Sequence, residues 1–289
     1  MHIATLIAAD RLDPAFVGAL RNAWGGGDAI WLDPARAAEF EIAHPPANLW
    51  NIWEEAQNMG VDLALQPAQG RRKDVLLADM DSTMIGQECI DELADMAGVG
   101  GRVGDITARA MNGELDFEAA LRERVALLRG LSTEVIERVW TERITLSPGG
   151  AELVATMRAN GGYCALVSGG FTDFTGRVAK ALGFDEHRAN TLVSHGNSLT
   201  GEVAEPVLGR EAKVAALRQI CAARGVGPDR AMAVGDGAND LGMLGLAGAG
   251  VALHAKPVVA AETDLRINHG DLTALLYLQG YSTDAFARP

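Results

Sequence analysis

The sequence predicts an α/β protein: a doubly wound parallel sheet with an inserted helical cap and a small N-terminal α+β domain. Three observations support this prediction: apolar runs that alternate with helix-compatible segments, a long helical interval after the first of these runs, and a different pattern in the first 70 residues. Near-continuous apolar strands are expected in a parallel sheet that is buried on both faces. A chain of 289 residues is long enough for two domains, or for one domain with an insertion.

Residues 1–70 are predicted to form the small α+β domain. Apolar runs indicate strands, and amphipathic segments between them indicate helices. The runs are Ile3–Ala8, Ala29–Leu32 and Val61–Leu65, and the helical segments are Pro14–Trp24 and Leu49–Met59. The next stretch, residues 66–74, mixes Pro, Gln and Gly with the cations Arg71, Arg72 and Lys73, which predicts a solvated linker.

Residues 71–289 are predicted to form the parallel sheet and the cap. Four apolar runs each end in small or polar residues and precede helix-compatible sequence: Val75–Ala78, Tyr163–Val167, Ala231–Val234 and Gly250–Leu253. The interval Gln87–Ser147 shows helical periodicity and no convincing strand. Because it is too long for a single crossover helix, it predicts a helical cap inserted where the first strand ends.

The composition argues against several classes of function. Lys and Arg total 25 against 38 Asp and Glu, a net charge of −13, whereas nucleic-acid binding depends on many cations. The longest apolar runs are too short to span a membrane, and the N-terminus lacks the cationic lead-in of a signal peptide. The three cysteines are widely spaced and form no CxxC pair, which argues against a disulfide framework or a zinc site. We therefore expect a cytoplasmic protein with no nucleic-acid or membrane partner.

A pair of carboxylates directly after the first apolar run is the strongest chemical signal. Residues i and i+2 of a strand point to the same side, so Asp79 and Asp81 are expected to face the crevice where open α/β sheets bind ligands. Two buried anions are costly unless they share a cation or one of them is protonated. The pair therefore predicts a divalent metal and one carboxylate that can carry a proton. The alternative is a simple turn capped by Asp and Ser.

Three more signals follow along the chain. Ser168-Gly169-Gly170 lies between an apolar strand and a helix, where a hydroxyl and free backbone N–H groups suit a phosphate. The turn from Gly235 to Asp240 offers several oxygen ligands of the kind that Mg²⁺ prefers. Lys213 lies on a predicted helix between them. Each signal alone has an ordinary explanation (a Gly-Gly turn, an Asx-turn, a solvated lysine), but together they predict one site for phosphoryl transfer.

This series of motifs resembles that of the haloacid dehalogenase-like hydrolases. It reads Asp-x-Asp-Ser-Thr, Ser-Gly-Gly, Lys and Gly-Asp-Gly-x-Asn-Asp, and the resemblance covers about residues 74–278. Within the family the sequence is similar to the members that hydrolyse phosphoserine, because four cap residues stand where those enzymes contact their substrate: Glu88, Met111, Phe117 and Arg124. Residues 1–70 match less clearly, and in related enzymes this region is an ACT-like or degenerate α+β domain.

The resemblance implies a role for each motif residue. Asp79 is expected to attack phosphorus and form an aspartyl-phosphate, while Asp81 protonates the leaving oxygen and later takes a proton from water. The implied cofactor is Mg²⁺, held by Asp79, the backbone carbonyl of Asp81 and Asp236; hard oxygen ligands admit Mn²⁺ as well. The residues implied to bind phosphate are Ser168, Gly169, Gly170, Lys213 and Asn239, and Asp240 is implied to support the metal and the lysine.

The resemblance assigns specificity to the cap. Arg124 suits a bidentate clamp on a substrate carboxylate, and Glu88 suits an ion pair with its ammonium group. Met111 and Phe117 are expected to seal the pocket when the cap closes. Without the motifs, each of the four residues would be interpreted as a surface ion pair or a core residue of an ordinary helix.

Several alternatives stay open at this point. A phosphatase or phosphotransferase of the same family can act on another small phosphomonoester, such as phosphohomoserine or a sugar phosphate. Arg124 with Glu88 favours an amino-acid head group, since a sugar needs no such pair of opposite charges. A binding module with an inactive core is a third reading, against which the intact Asp79, Asp81 and Lys213 argue. A homodimer through the N-terminal unit is neither supported nor opposed by the sequence.

Overall fold

The computed structural model describes residues 1–288 and confirms the predicted fold class. A four-stranded antiparallel sheet precedes a six-stranded parallel sheet, and a bundle of helices is inserted after the first parallel strand. The division into domains at residue 70 stays a prediction. Among residues 1–288, no helix is both long enough and apolar enough to cross a bilayer.

The N-terminal unit has the order strand, helix, strand, strand, helix, strand. Its elements are β1 (His2–Ala8), α1 (Pro14–Ala23), β2 (Ile30–Asp33), β3 (Ala37–Ile42), α2 (Leu49–Asn58) and β4 (Val61–Pro67). The strands lie in the order β2-β3-β1-β4 and are all antiparallel to their neighbours. The sequence analysis missed β3, where the buried Glu39 interrupts the apolar pattern.

One face of this small sheet packs on its own helices, and the other packs on the larger domain. Leu6 and Phe40 belong to the core beneath α1 and α2, whereas Ile7 and Ala64 belong to the core of the larger domain. The carboxylate of Asp62 lies at the junction and accepts backbone N–H groups of residues 268–270 at 2.8–3.2 Å. The N-terminal unit is therefore docked, with both polar and apolar contacts.

Residues 71–73 connect the two sheets without a helix or strand, as predicted for a linker, but their cations make specific contacts. Arg71 makes two hydrogen bonds to Glu39, at 2.6 and 3.0 Å, and the guanidinium of Arg72 lies 4.1 Å from the ring centroid of Tyr281. The Nζ atom of Lys73 donates to the backbone oxygen of Asp229 at 2.8 Å. The three cations fix the connection between the two sheets, because each finds a partner that lies far away in sequence.

The larger domain is a doubly wound sheet covered by helices. After β5 (Val75–Ala78), its strands are β6 (Tyr163–Phe171), β7 (Glu186–Asn190), β10 (Ala231–Gly235), β11 (Ala249–Leu253) and β12 (Leu265–Ile267). Its helices are α7 (Gly150–Ala159), α8 (Thr172–Leu182), α9 (Arg210–Ala223), α10 (Leu241–Leu246), α11 (Pro257–Ala261) and α12 (Ala274–Leu278). A short hairpin, β8 (Leu192–His195) and β9 (Ser198–Val203), follows β7.

The strand order β12-β11-β10-β5-β6-β7 determines where on the sheet the site lies. All neighbouring strands are parallel, and the chain winds outward from β5 before starting again at β10. The boundary between β5 and β10 is thus a topological switch point, where open sheets form a crevice beyond the carboxyl ends of their strands. Both acidic motifs follow these two strands, so the fold brings them to the same crevice.

The cap consists of four helices that lie within the predicted interval. They are α3 (Cys89–Met96), α4 (Gly100–Met111), α5 (Phe117–Ala126) and α6 (Glu134–Glu142). The two connections to the core run side by side: the N–H of Gly86 donates to the oxygen of Thr145, and that of Ser147 to Met84, both at 3.0 Å. Asp116 caps α5 by accepting the N–H of Ala119 at 2.9 Å, which places Phe117 in the first turn.

Candidate active site

Asp79 and Asp81 lie at the carboxyl end of β5, and both are buried. The Oδ1 atom of Asp79 accepts the backbone N–H of Met80 at 2.8 Å and lies 2.7 Å from Nζ of Lys213. These contacts hold Oδ1 and leave Oδ2 as the less engaged oxygen. Asp81 accepts the N–H of Cys89, the first residue of α3, at 3.1 Å. The second carboxylate therefore lies at the junction of core and cap.

The surroundings of Asp81 favour proton transfer near neutral pH. Burial raises the pKa of Asp81 to about 7; the charge of Asp79 acts in the same direction, and the hydrogen bond from Cys89 opposes it. A general acid or base is most effective when its pKa lies near the working pH. Asp81 can thus both release and accept a proton under physiological conditions.

Lys213 extends from α9 into the acidic cluster and is fully buried. Its Nζ atom lies 2.7 Å from Asp79 Oδ1 and 2.6 Å from Asp240 Oδ1. Burial opposes the charge of Lys213, but the carboxylates of Asp240 and Asp79 outweigh it and raise the pKa of the amine. The other oxygen of Asp240 accepts the N–H groups of Asp236 and Gly237. Asp240 therefore fixes both the lysine and the acidic turn.

The acidic cluster has the donor set of a site for a hard divalent cation. Carboxylate oxygens of Asp79, Asp236 and Asp240 lie within 4.8 Å of one another. Burial raises the pKa of Asp236 well above its usual range, and the charges of Asp240 and Asp79 add to this effect. In addition, the buried Oδ1 atom of Asn239 has no hydrogen-bond partner among the described residues. One lysine does not balance this set of anions, so the residues present fit a divalent metal.

The carboxylate cluster contains two of the predicted metal ligands, Asp79 and Asp236, and also Asp240. Asp240, expected only in a supporting role, joins the carboxylate cluster, whereas the carboxylate of Asp81 lies outside it. Both oxygens of Asp240 already accept hydrogen bonds, so Asp79 and Asp236 are better placed to bind a cation. Thr83 donates to Asp236 Oδ1 at 3.2 Å, a contact that the sequence analysis did not identify.

Ser168, Gly169 and Gly170 form the bulged end of a strand. The prediction placed them after the strand, but β6 continues to Phe171, with a register shift after Val167. The Oγ atom of Ser168 accepts the N–H of Gly170 at 2.9 Å, and Asn190 donates to the carbonyl of Gly169 at 2.8 Å. Asn190 was not identified from the sequence, because it acts from the edge strand β7.

Residues of the cap and of the core line one cavity between them. Its lining residues are Asp79, Asp81, Glu88, Ile90, Met111, Phe117, Leu121, Arg124, Ser168, Gly169, Gly170, Phe171 and Asn239. All four predicted cap residues are present, and the apolar Ile90, Leu121 and Phe171 are additions that no sequence signal indicated. The cavity volume is only ≈ 20 Å³, enough for about one water molecule. We therefore expect the cap to move away from the core when a larger ligand binds.

Glu88 and Arg124 place an acidic and a basic side chain in this cavity. Glu88 accepts a hydrogen bond from Ser82 Oγ at 2.7 Å, and Ser82 has the left-handed backbone conformation, with φ of 53°. Burial raises the pKa of Glu88 well above its usual range, and the charges of Asp81 and Asp236 add to this effect. Arg124 is 3% exposed and donates from Nε to the carbonyl of Ala120 at 3.1 Å. The left-handed backbone of Ser82 is strained, and strain of this kind is typical of functional sites.

We expect Gly169→Ala to hinder closure of the cap. A methyl group at Gly169 would lie 2.5 Å from Cζ of Phe117, so the ring must shift and is expected to displace its helix. The backbone N–H is retained, and kcat/KM is expected to fall about 10- to 100-fold from misplacement of the cap. Steady-state kinetics and thermal unfolding check this.

Gly101→Ala is the matched control, because a methyl group there meets nothing within 4 Å. An unchanged kcat/KM in a folded Gly169→Ala variant would contradict the assigned contact between Phe117 and the strand end.

The chain belongs to the haloacid dehalogenase-like hydrolases, whose family model matches residues 76–245. A phosphoserine phosphatase of Polaromonas is 45% identical over 205 residues, which are 69% of this chain and 87% of that protein. A phosphoserine phosphatase of Archaeoglobus fulgidus is 42% identical over 223 residues, or 76% of this chain, and the match covers 64% of the relative's length. The crystal structure of a haloacid dehalogenase family hydrolase from Salmonella enterica serovar Typhi superposes with a TM-score of 0.86 at 30% identity. The superposition covers 96% of this chain and 98% of the Salmonella chain.

Proposed function

We propose that this protein is a Mg²⁺-dependent phosphatase that hydrolyses O-phospho-L-serine to L-serine and phosphate, the last step of serine biosynthesis. The main support is one cavity lined by the carboxylate pair Asp79 and Asp81 and by the ionisable cap residues Glu88 and Arg124. Similarity to phosphoserine phosphatases from several organisms points to the same substrate. The cytoplasmic location stays a prediction.

Asp79 is the nucleophile in this proposal. Its Oδ1 atom is held by Lys213 and by the N–H of Met80, so Oδ2 is the oxygen that attacks phosphorus. The bond from phosphorus to the serine oxygen breaks, and an aspartyl-phosphate forms. Asp81 gives its proton to the departing serine oxygen and then takes one from the water that hydrolyses the acyl phosphate.

The phosphate is bound by groups that do not change their protonation state. Ser168 and the N–H of Gly169 lie at the end of β6, and Lys213 brings a fixed positive charge from α9. Such preorganised donors stabilise charge as it moves onto the equatorial oxygens. Asp79 and Asp236, with the backbone carbonyl of Asp81, would hold Mg²⁺. When bound, the ion supplies positive charge that offsets repulsion between the phosphate and the carboxylates.

The cap selects the amino-acid end of the substrate. Arg124 offers a planar fork for the carboxylate, and Glu88 offers a negative charge for the ammonium group. An ammonium ion beside Glu88 counters the burial that raises the pKa of this carboxyl group. Met111 and Phe117 exclude water once the cap has closed over the substrate.

Phosphate release from a panel of substrates tests this function. The panel holds L-phosphoserine, D-phosphoserine, phosphohomoserine, phosphothreonine and a sugar phosphate, each with Mg²⁺, with Mn²⁺ and with a chelator. Metal-dependent release that favours L-phosphoserine is the expected result. Preferential release from another compound would refute the assigned substrate but not the role of Asp79. No release from any compound would favour a binding module with an inactive core.

Arg124→Lys is expected to weaken substrate binding despite the retained charge. An ammonium group cannot reproduce the bidentate geometry, and loss of a hydrogen bond to a charged partner raises the KM for L-phosphoserine about 10- to 100-fold. Titration of the initial rate against substrate concentration measures this change.

The control for this substitution is Arg102→Lys, an exposed arginine on the cap helix α4 whose side chain is 64% exposed. Equal KM values for Arg124→Lys and the wild type would show that Arg124 does not bind the carboxylate.

A further inference from the structure

Arg124 is held on the cap by a chain of hydrogen bonds that the proposed reaction does not use. Its Nη1 atom donates to Thr107 Oγ1 at 3.0 Å, and Thr107 donates to Asp91 Oδ1 at 2.6 Å. The three residues lie on α5, α4 and α3, so the chain joins three of the cap helices. Thr107 and Arg124 are each 3% exposed, and water therefore competes little for these bonds.

The direction of the chain follows from the chemistry of a hydroxyl group. Thr107 has one proton to donate and two lone pairs to accept with. Its oxygen lies 2.6 Å from the Asp91 carboxylate and 3.1 Å from the carbonyl of Val103. The shorter, charge-assisted bond to Asp91 takes the proton. The lone pairs of Thr107 are then available to Arg124, which can only donate.

Two bonds fix the plane of the guanidinium. Nε donates to Ala120 and Nη1 to Thr107, which leaves three of the five N–H groups of Arg124 without a partner among residues 1–288. Arg124 also lines the cavity between cap and core. An arginine held in this way loses less rotamer freedom when it binds a carboxylate than a free arginine does.

We propose that Thr107, held by Asp91, is a positioning residue that orients Arg124 toward the substrate carboxylate. The pair thereby sets the selectivity for amino-acid phosphates over phosphomonoesters that lack a carboxylate. This inference rests on the proposed function, because it needs a substrate carboxylate at Arg124. Neither residue touches the reacting atoms, so the predicted effect is on substrate binding and not on the chemical step.

The test compares two substrates that differ only in the carboxylate, O-phospho-L-serine and O-phosphoethanolamine. In Thr107→Val, we expect the KM for phosphoserine to rise about tenfold, with kcat changed less than about twofold. The KM for phosphoethanolamine, whose binding does not involve Arg124, is expected to change less than about twofold. Thr107→Ser restores the hydroxyl and is expected to recover most of the discrimination.

A second threonine on the cap provides the matched control. Thr141 lies on α6, is exposed, and donates to the carbonyl of Glu137 at 2.9 Å, so Thr141→Val removes a hydroxyl that is unconnected to Arg124. If Thr107→Val does not fold, Asp91→Asn takes its place. Asp91→Asn removes the charge that fixes the Thr107 proton. The preference for phosphoserine over phosphoethanolamine is then expected to fall about threefold.

Each outcome is decisive. Equal losses with both substrates, or no loss with either, would overturn the positioning role while the wild type still prefers phosphoserine. A wild type that hydrolyses phosphoethanolamine as readily as phosphoserine would overturn the proposed function, and this inference with it. If Thr107→Ser does not recover the preference for phosphoserine over phosphoethanolamine, the hydroxyl group of Thr107 does not position Arg124.

Discussion

Asp79→Asn is expected to lower phosphatase activity by about 10⁴-fold or more, the scale observed when a nucleophile is removed. The amide has nearly the shape of the carboxylate, but its nitrogen replaces the oxygen that would attack phosphorus. Its oxygen can still accept hydrogen bonds from Lys213 and from the N–H of Met80, which now hold Oδ1 at 2.7 and 2.8 Å. The loss is therefore expected in the chemistry and not in the fold.

The stability of the Asp79→Asn variant shows whether activity is lost from the chemical step or from the fold. Removing one negative charge from a cluster that also contains Asp236 and Asp240 relieves repulsion, and Lys213 keeps Asp240 as its ion-pair partner. The free energy of unfolding without metal is thus expected to stay within about 1 kcal/mol of the wild type or to rise. Asp105→Asn, an exposed aspartate on α4, is the control and is expected to keep full activity. More than about 1% residual activity in Asp79→Asn, measured as phosphate release, would exclude Asp79 as the nucleophile.

Lys213→Met is expected to damage both activity and stability. Lys213 is the one cation that the described structure places among the carboxylates of Asp79 and Asp240, and it is fully buried. Removing one partner of a buried ion pair leaves an uncompensated charge and costs about 3–5 kcal/mol. Loss of a fixed charge at the phosphate is expected to lower kcat/KM by about 10³-fold. Urea unfolding without metal and steady-state kinetics measure the two effects.

A double variant separates these two losses. In Lys213→Met with Asp240→Asn, one uncompensated charge is removed, so part of the stability is expected to return while activity stays low. Lys180→Met, on the exposed face of α8, controls for the loss of a lysine. If Lys213→Met is as stable as the wild type, the carboxyl groups of Asp79 and Asp240 are not both negatively charged in the folded protein. Wild-type turnover would remove Lys213 from the mechanism.

The predictable part of the fold came from strands with a strong local pattern. Val75–Ala78 is found as predicted, and the two acidic motifs lie beyond the ends of β5 and β10. Strands without that pattern were missed. β7, with the sequence Glu-His-Arg-Ala-Asn, forms at the sheet edge by pairing with β6, and β12 has only three residues. Their strand structure depends on the neighbouring strand more than on their own residues.

The motifs also determined which chemistry to expect. An apolar strand followed by an acidic turn is a local feature, and a parallel sheet brings such strand ends to one edge. The core motif residues could therefore be assigned to one site before any distance was known, and the resemblance to the family implied the four cap residues. All four cap residues line the cavity together with the strand ends. The sequence and its resemblance to the family thus predicted the class of reaction and the residues proposed to carry it.

Only the tertiary structure decided how these residues are held. The bond from Ser82 to Glu88 and the chain from Arg124 through Thr107 to Asp91 join residues on different elements. The same is true of Asn190 beneath Gly169 and of the linker cation Arg71 on Glu39. A hydroxyl, an amide or an arginine has many acceptable partners, and the sequence does not rank them. The choice depends on distances of 2.6–3.0 Å that are set when helices and strands distant in sequence pack together.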